Sequence, residues 1–423
     1  MRARRAATVS VFLVLVVAAQ EALRPKDVRE IAKAGSTAIP KLQALLKNPD
    51  LDIRLEAVKQ IVQIGTQYSL DPLIQATTDN DPEVQIRATD GLVNFYYPDY
   101  VRTGLTASLR RVGSSIKGKF SDTNDQIIPA FVQVRPDVIA ALGKLARGGG
   151  DMEVRANAAR AIGVLRGQGA VDDLVAALHS KDTDVIYQSL IALQKIRDKS
   201  AAPRITFLLR DLDSKVQIAA IETEGLLQNH EALPNLIEVL NRAGDKNVRR
   251  KALTAIAMLP EEKNRELYAR YLRDKDDQMR AAAAEGYARL RNSADLPMID
   301  KAYQDEGKTQ PRMSLAFALV MLGRTELSEM SPLQYLVNQL NSSAYHGIAL
   351  PFLVELARNA TVRGELYKPL LNGTKDEKMN LAEVMARSGD KESVAPLQKL
   401  SNDPDEDVAR AGLRALRILQ ARL

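Results

Sequence analysis

The sequence predicts an all-α fold, a right-handed α-α superhelix of about twelve helix-pair units, each ~31 residues long. Three observations carry this expectation. Composition favours helices: aromatic residues make up 4%, Trp is absent, and Ala, Leu, Ile, Val, Glu, Lys and Arg dominate without the β-branched and aromatic runs that strands favour. An apolar anchor that follows an Asp- or Asn-rich turn recurs at Ile53, Val84, Val154, Val185, Val216, Val248, Met279 and Val408, with spacings of 31, 31, 31, 32 and 31 wherever no insertion intervenes. Fixed offsets then describe one helix face. Four residues on stands a small residue (Ala57, Ala88, Ala158, Ser189, Ala220, Ala252, Ala283, Gly412), and eleven on a large apolar one, such as Leu165 or Leu259. Offset eight is apolar in seven of the eight copies, Glu224 being the exception. Offsets of 4, 8 and 11 share one side of a 3.6-residue helix, and the small residue lets a neighbouring helix approach.

In chain order, residues 1–19 come first. Arg2, Arg4 and Arg5 precede an uncharged stretch from Ala6 to Ala19 centred on Val11 to Val17. A basic start, an apolar run and small residues before Gln20 have the form of a signal peptide cleaved after Ala19, which places the chain in the periplasm or outside the cell. Fourteen residues fall short of the ~20 that span a bilayer. Without the leader the chain keeps 56 basic against 53 acidic residues, a net +3. Most of the apparent basicity therefore belongs to the leader, and nucleic acid is not an expected partner. The absence of cysteine excludes disulfides, thiolate metal sites and a lipoprotein anchor.

Residues 20–94 hold the first repeats, and a shortened copy starts near Val28. After each anchored helix a turn leads to a second apolar stripe, as in Leu174/Leu178, Ile205/Leu209 and Leu236/Leu240. Pro203, Pro234, Pro332, Pro369 and Pro396 are expected in the first turn of these second helices, where a missing N–H costs nothing. Asp182 or Asp184, Asp213, Asp245, Asp276 and Asp403 are expected to cap the first helices. Residues 135–423 continue the array, with a degenerate register near Met313, Tyr345 and Met379 and a lone capping helix from Glu406 to Leu423. The second helices are expected to line a concave inner surface.

With these words on the page, among them Asp81-Pro82-Glu83-Val84, Glu153-Val154-Arg155 with Ala158, and Ala232-Leu233-Pro234-Asn235-Leu236, the chain resembles HEAT-repeat proteins over about residues 25–423. The short period resembles the phycobilisome-lyase type of HEAT-like repeat. That resemblance implies an accessory role for an enzyme, such as bilin attachment, but no residue outside the repeat carries it, and the repeat itself serves many partners.

The register breaks once. Val84 and Val154 are 70 residues apart, and the excess lies in residues 95–134. This insertion opens with Tyr96, Tyr97 and Tyr100, and from Val101 to Ser121 it carries Arg102, Arg110, Arg111, Lys117 and Lys119 with no acid. One reading makes these eight residues a docking surface for an anionic partner, which is an acidic protein, a membrane surface or a cell-wall polymer. The other folds the segment back over the solenoid, burying the tyrosines and solvating the cations.

Catalytic chemistry finds little purchase. Only three histidines occur, His179, His230 and His346, in different repeats. A di-iron HEAT-repeat hydroxylase carries several facing His-Glu pairs, whereas this chain has one, His230-Glu231, expected to be a polar turn. Gly148-Gly149-Gly150 reads as a helix stop. The arginines after the anchors, Arg54, Arg155, Arg249 and Arg280, are expected to pair with acids of the next repeat. No catalytic, metal or cofactor residue is assigned, and the functional expectation is an exported, non-catalytic scaffold that binds a protein through its concave helical surface.

Overall fold

A computed structural model describes residues 23–98, 100 and 126–423. Among them are twenty-two α-helices and no strand. The first helices of the units are α1 (Pro25–Ala32), α3 (Leu51–Ile64), α5 (Pro82–Tyr96), α7 (Met152–Val164), α9 (Thr183–Ile196), α10 (Ser214–Leu226) and α12 (Lys246–Ala257). The row continues with α14 (Asp277–Leu290), α16 (Thr309–Met321), α18 (His346–Leu356), α20 (Lys375–Ser388) and α22 (Glu406–Gln420). Between them run the second helices: α2 (Ile39–Leu45), α4 (Leu70–Ala76), α6 (Pro136–Gly148), α8 (Val171–Ala177), α11 (Leu233–Arg242), α13 (Arg265–Tyr271), α15 (Leu296–Asp305), α17 (Pro332–Leu340), α19 (Ala360–Asn372) and α21 (Val394–Leu400). The fifth unit replaces its second helix by two 3-10 turns, Lys199–Arg204 and Thr206–Arg210. Eleven pairs and the lone α22 make the expected twelve units.

The helices begin where the acids stand. Asp50, Asp81, Asp151, Asp182, Asp213, Asp245 and Asp276 each accept a hydrogen bond from a first-turn N–H. The last cap differs from expectation. Asp405 caps α22, while Asp403 accepts from the Asp405 N–H and pairs with Lys378 at 2.8 Å. Pro234 and Pro396 fall in first turns and Pro332 opens α17, but Pro203 lies within a 3-10 turn. Pro369 lies near the end of α19, which starts instead at the Asn359 cap. There its missing N–H removes one bond of a turn that is already ending.

All eight anchors and all eight small residues are buried. One contiguous apolar core runs from Val28 to Leu419, as expected of pairs that bury their faces only on their neighbours. The stripe Ile205/Leu209 is buried too, on 3-10 rather than α geometry.

The first helices approach one another closely. A Cβ on Gly163 of α7 would stand 2.8 Å from the Ala192 Cα of α9, and one on Gly225 of α10 would stand 3.0 Å from the Ala255 Cα of α12. Arg289 of α14 reaches past α16 to Glu355 of α18. The second helices pack on one another less closely than the first do; in a curved stack the row with the shorter spacing is the inner one, so the first helices form the inner row. The expectation for the second helices is reversed, and exposed ion pairs such as Arg204–Asp172 and Arg210–Glu238 connect that outer row.

Candidate protein-binding surfaces

The insertion joins α5 to α6, the two helices of one unit, and α5 packs directly on α7. It therefore leaves the inner row intact. Arg102, Arg110, Arg111, Lys117 and Lys119 lie outside the described residues. The three tyrosines at its start are half-buried against the core. Phe95 meets Tyr96 edge-on at 4.9 Å, and the Tyr96 hydroxyl accepts from the Arg135 N–H at 3.2 Å, tying the two ends of the insertion together. Tyr100 lies under the Arg160 guanidinium, 5.5 Å from the ring centre, and burial pushes its hydroxyl well above the usual tyrosine range. Beneath it Asn157 donates to Asp90 at 3.1 Å, and Arg160 stands 3.8 Å from the same carboxylate. The sequence reading named none of Asp90, Asn157 and Arg160, because Asp90 sits 67 residues from Asn157 with the break in register between them.

The returning end crosses the array. Lys195 of α9 donates to the Gln126 carbonyl at 3.2 Å, and the Ile128 N–H donates to Val164 O at the end of α7 at 2.9 Å. Ile128 is buried, and with Val132, Val134, Ile139, Leu165 and Ile196 it lines an open cleft of about 690 Å³.

Two of the four anchor arginines, Arg54 and Arg280, hold the stack as expected. Arg54 forks onto Asp79 at 2.8 and 3.2 Å while donating to the Asn48 carbonyl six residues back. Arg280 repeats this with Glu306 and the Asp274 carbonyl. Arg363, in the second helix α19, pairs with Asp390 and donates to the Ala357 carbonyl. Each bridges a helix end six residues back to an acid 25–27 residues ahead. Departures exist: Arg250 rather than Arg249 forks onto Asp276, and Arg155 donates to the Ala146 carbonyl.

Two carboxylates lie inside the array. Glu224, at the apolar eighth position of α10, is fully buried, and burial pushes its carboxyl up to about 7. It accepts from the Thr206 hydroxyl and the Asn229 amide, both at 2.7 Å. Burial also raises Glu285, against the pull of Arg289. Arg289 forks onto Glu355 at 3.1 and 2.9 Å, stands 3.2 Å from Glu285, and covers the Phe317 ring at 5.2 Å.

The histidines stay apart. His179 stacks on Phe207 at 4.8 Å, His230 faces Glu261 at 3.5 Å rather than pairing with Glu231, and His346 Nδ1 contacts the Leu340 carbonyl at 2.8 Å. Among the described residues no group of three or more His, Asp or Glu is arranged to hold a metal ion, and no helix is long and apolar enough to cross a membrane.

No curated protein matches the chain in sequence. Solved structures similar to it include an engineered protein, 19% identical over 90% of this chain and 98% of that one, with a TM-score of 0.39. YIBA of E. coli is 15% identical over 70% and 95%, with a TM-score of 0.41. The CpcE–CpcF complex of phycocyanin lyase from Nostoc sp. PCC7120 is 18% identical over 77% and 97%, with a TM-score of 0.32. A family model for HEAT repeats matches residues 14–108, 139–225, 202–288 and 233–320. These matches span more than half of the sequence, so the chain belongs to the HEAT-repeat family.

Proposed function

We propose that this chain is an exported, non-catalytic scaffold that holds a protein partner against its inner row of first helices. HEAT repeats generally mediate contacts between proteins, and stacked repeats offer one long surface instead of a single pocket. The observation that carries the reading is the continuity of that row. α5 and α7 meet directly although 39 residues of chain leave and return between α5 and α6. A partner lying along the row meets an unbroken surface, and the insertion adds a local feature beside it.

Chemistry internal to the fold accounts for the displaced carboxylates, since Glu224 and Glu285 are enclosed by their own partners. That favours a structural role for them over proton transfer to a substrate. Export rests on the basic and apolar residues 1–19. The test is affinity capture from the envelope fraction with the full chain, with N-terminal sequencing of the exported form. A reproducible partner lost on reversing inner-row charges such as Lys59 and Arg87, and a chain starting at Gln20, are the expected results. Absence of any captured protein overturns the scaffold, and an intact Met1 in the cytosol overturns export.

A further inference from the structure

Inner-row helices end here on residues that rarely end helices. Arg166, Arg197 and Arg291, each twelve residues after an anchor, adopt left-handed backbone with φ of 50°, 64° and 55°. Gly65 occupies the same position after Ile53 with φ 57°. A side chain there costs about 1–2 kcal/mol, which glycine avoids. Backbone strain held at several equivalent positions is a reason to ask what the arginines do.

One of them, Arg291, shares a cleft with a second arginine. Arg291 and Arg358, the latter just past the end of α18, line one cleft of about 320 Å³ across the ends of α14, α16 and α18. Neither makes an ion pair among the described residues. The cleft wall is mixed: Val320, Leu356 and Val362 are themselves buried, and Met321 is the part-exposed apolar side chain. The carboxylate in its lining, Glu355, is already forked by Arg289. Burial, and next the charge of Arg358, pull both Arg197 and Arg422 below the usual arginine range. Arg197 and Arg422 each donate to a helix-end carbonyl, of Leu226 and Ala386. Arg291 and Arg358 thus line the cleft without a carboxylate partner, Glu355 being taken by Arg289, and a bound anion would supply one.

We propose that this cleft binds an acidic peptide segment of a partner protein, its carboxylates on Arg291 and Arg358 and an apolar side chain against Met321. The proposal rests on the scaffold reading above and names a recognition site within it. Forked guanidiniums suit carboxylates and phosphates alike, but the apolar contact at Met321 favours a peptide that alternates acidic and apolar residues over a bare phosphate.

The experiment uses the full chain and a fluorescein-labelled Glu-Leu-Glu-Glu-Leu-Glu peptide read by anisotropy. The same peptide with Gln for Glu, and inorganic tripolyphosphate as competitor, complete the arms. The acidic peptide is expected to bind and the Gln peptide to fail. The double variant Arg291→Glu with Arg358→Glu is expected to weaken binding at least tenfold, while Lys181→Glu elsewhere on the surface leaves it unchanged. If circular dichroism shows the double variant unfolded, Arg291→Gln with Arg358→Gln takes its place, with the same loss expected. Equal binding by wild type and either folded double variant overturns the site, as does equal loss in Lys181→Glu. Tight binding of tripolyphosphate with none of the peptide overturns the ligand class. A captured envelope partner retained by the folded double variant would leave the scaffold standing and remove only this site.

Discussion

Glu224 places a carboxylate where the other copies of the repeat place an apolar residue, and its consequence for stability has a definite sign. In the folded chain its carboxyl is pushed up to about 7, against an ordinary value of 4.5. The folded state therefore holds the proton more tightly than the unfolded state does. Its favourable contribution is complete below about pH 4.5 and is lost as pH rises to 7. Two and a half pKa units at 1.36 kcal/mol each give about 3 kcal/mol, of which relaxation around the charge would return part. Glu224→Gln carries no charge at any pH and keeps an acceptor for the Thr206 hydroxyl, while the Asn229 amide can turn to accept from the new NH2 group. Urea denaturation at pH 5 and pH 8, with exchange of the α10 amides as a local readout, measures the difference between wild type and variant. Subtracting the two profiles removes carboxylates of opposite slope, such as Asp276, which its hydrogen bonds hold low against burial. The variant is expected to gain about 1–3 kcal/mol on wild type at pH 8 and little at pH 5. Parallel profiles would refute the reasoning.

Two glycines give opposite outcomes for one substitution. Gly286→Ala would put a Cβ 2.5 Å from the buried Tyr268 ring, so it is expected to lose about 1–3 kcal/mol. Gly364→Ala, on the exposed face of α19 with nothing within 4 Å, is expected to gain about 0.5–1 kcal/mol from helix propensity. Thermal melts followed by circular dichroism decide both, and equal signs would contradict the packing described. Arg363→Ala removes a buried guanidinium from Asp390 and two helix-end carbonyls, so a loss of about 2–3 kcal/mol is expected in the same assay. Arg289→Met leaves Glu285 buried without its cation and is expected to cost about 3–5 kcal/mol, most of it restored by adding Glu285→Gln. A double variant as unstable as the single one would show that Glu285 is not the source.

The parts of the fold legible in the sequence were those written at fixed offsets. Aspartate caps, small mid-helix residues and buried anchors repeat every 31 residues, so each copy supports the others. What escaped lacks a fixed offset. The glycines that draw first helices together, Gly163 and Gly225, stand nine residues after the anchor, whereas Gly91 and Gly286, seven after it, meet Leu73 and Tyr268 of second helices. No single pattern therefore announced which row faces inward. The second element of the fifth unit read as a helix because Ile205 and Leu209 keep the apolar stripe, yet Pro203 and the Thr206 bond to Glu224 go with 3-10 turns there. The polar group around Asp90 and Arg160 was hidden by the break in register. Arginine clamps were half visible. The arginine followed the anchor as expected in Arg54 and Arg280, but the clamp in α19 lies outside the anchored helices.

The same clamps explain how so regular an array holds one curvature. Apolar stripes specify that neighbours stack, but they are non-directional and tolerate a range of tilt. A forked arginine that must meet a carboxylate 25–27 residues ahead and a carbonyl six residues behind admits few tilts. Arg289 adds a constraint two units long, since its reach to Glu355 requires α14 and α18 to lean together over α16. That lean puts Arg291 and Arg358 in one cleft. A binding surface made this way depends on stack geometry as much as on the residues that line it, so loosening Arg289 should weaken anion binding at Arg358 without touching the cleft's own arginines.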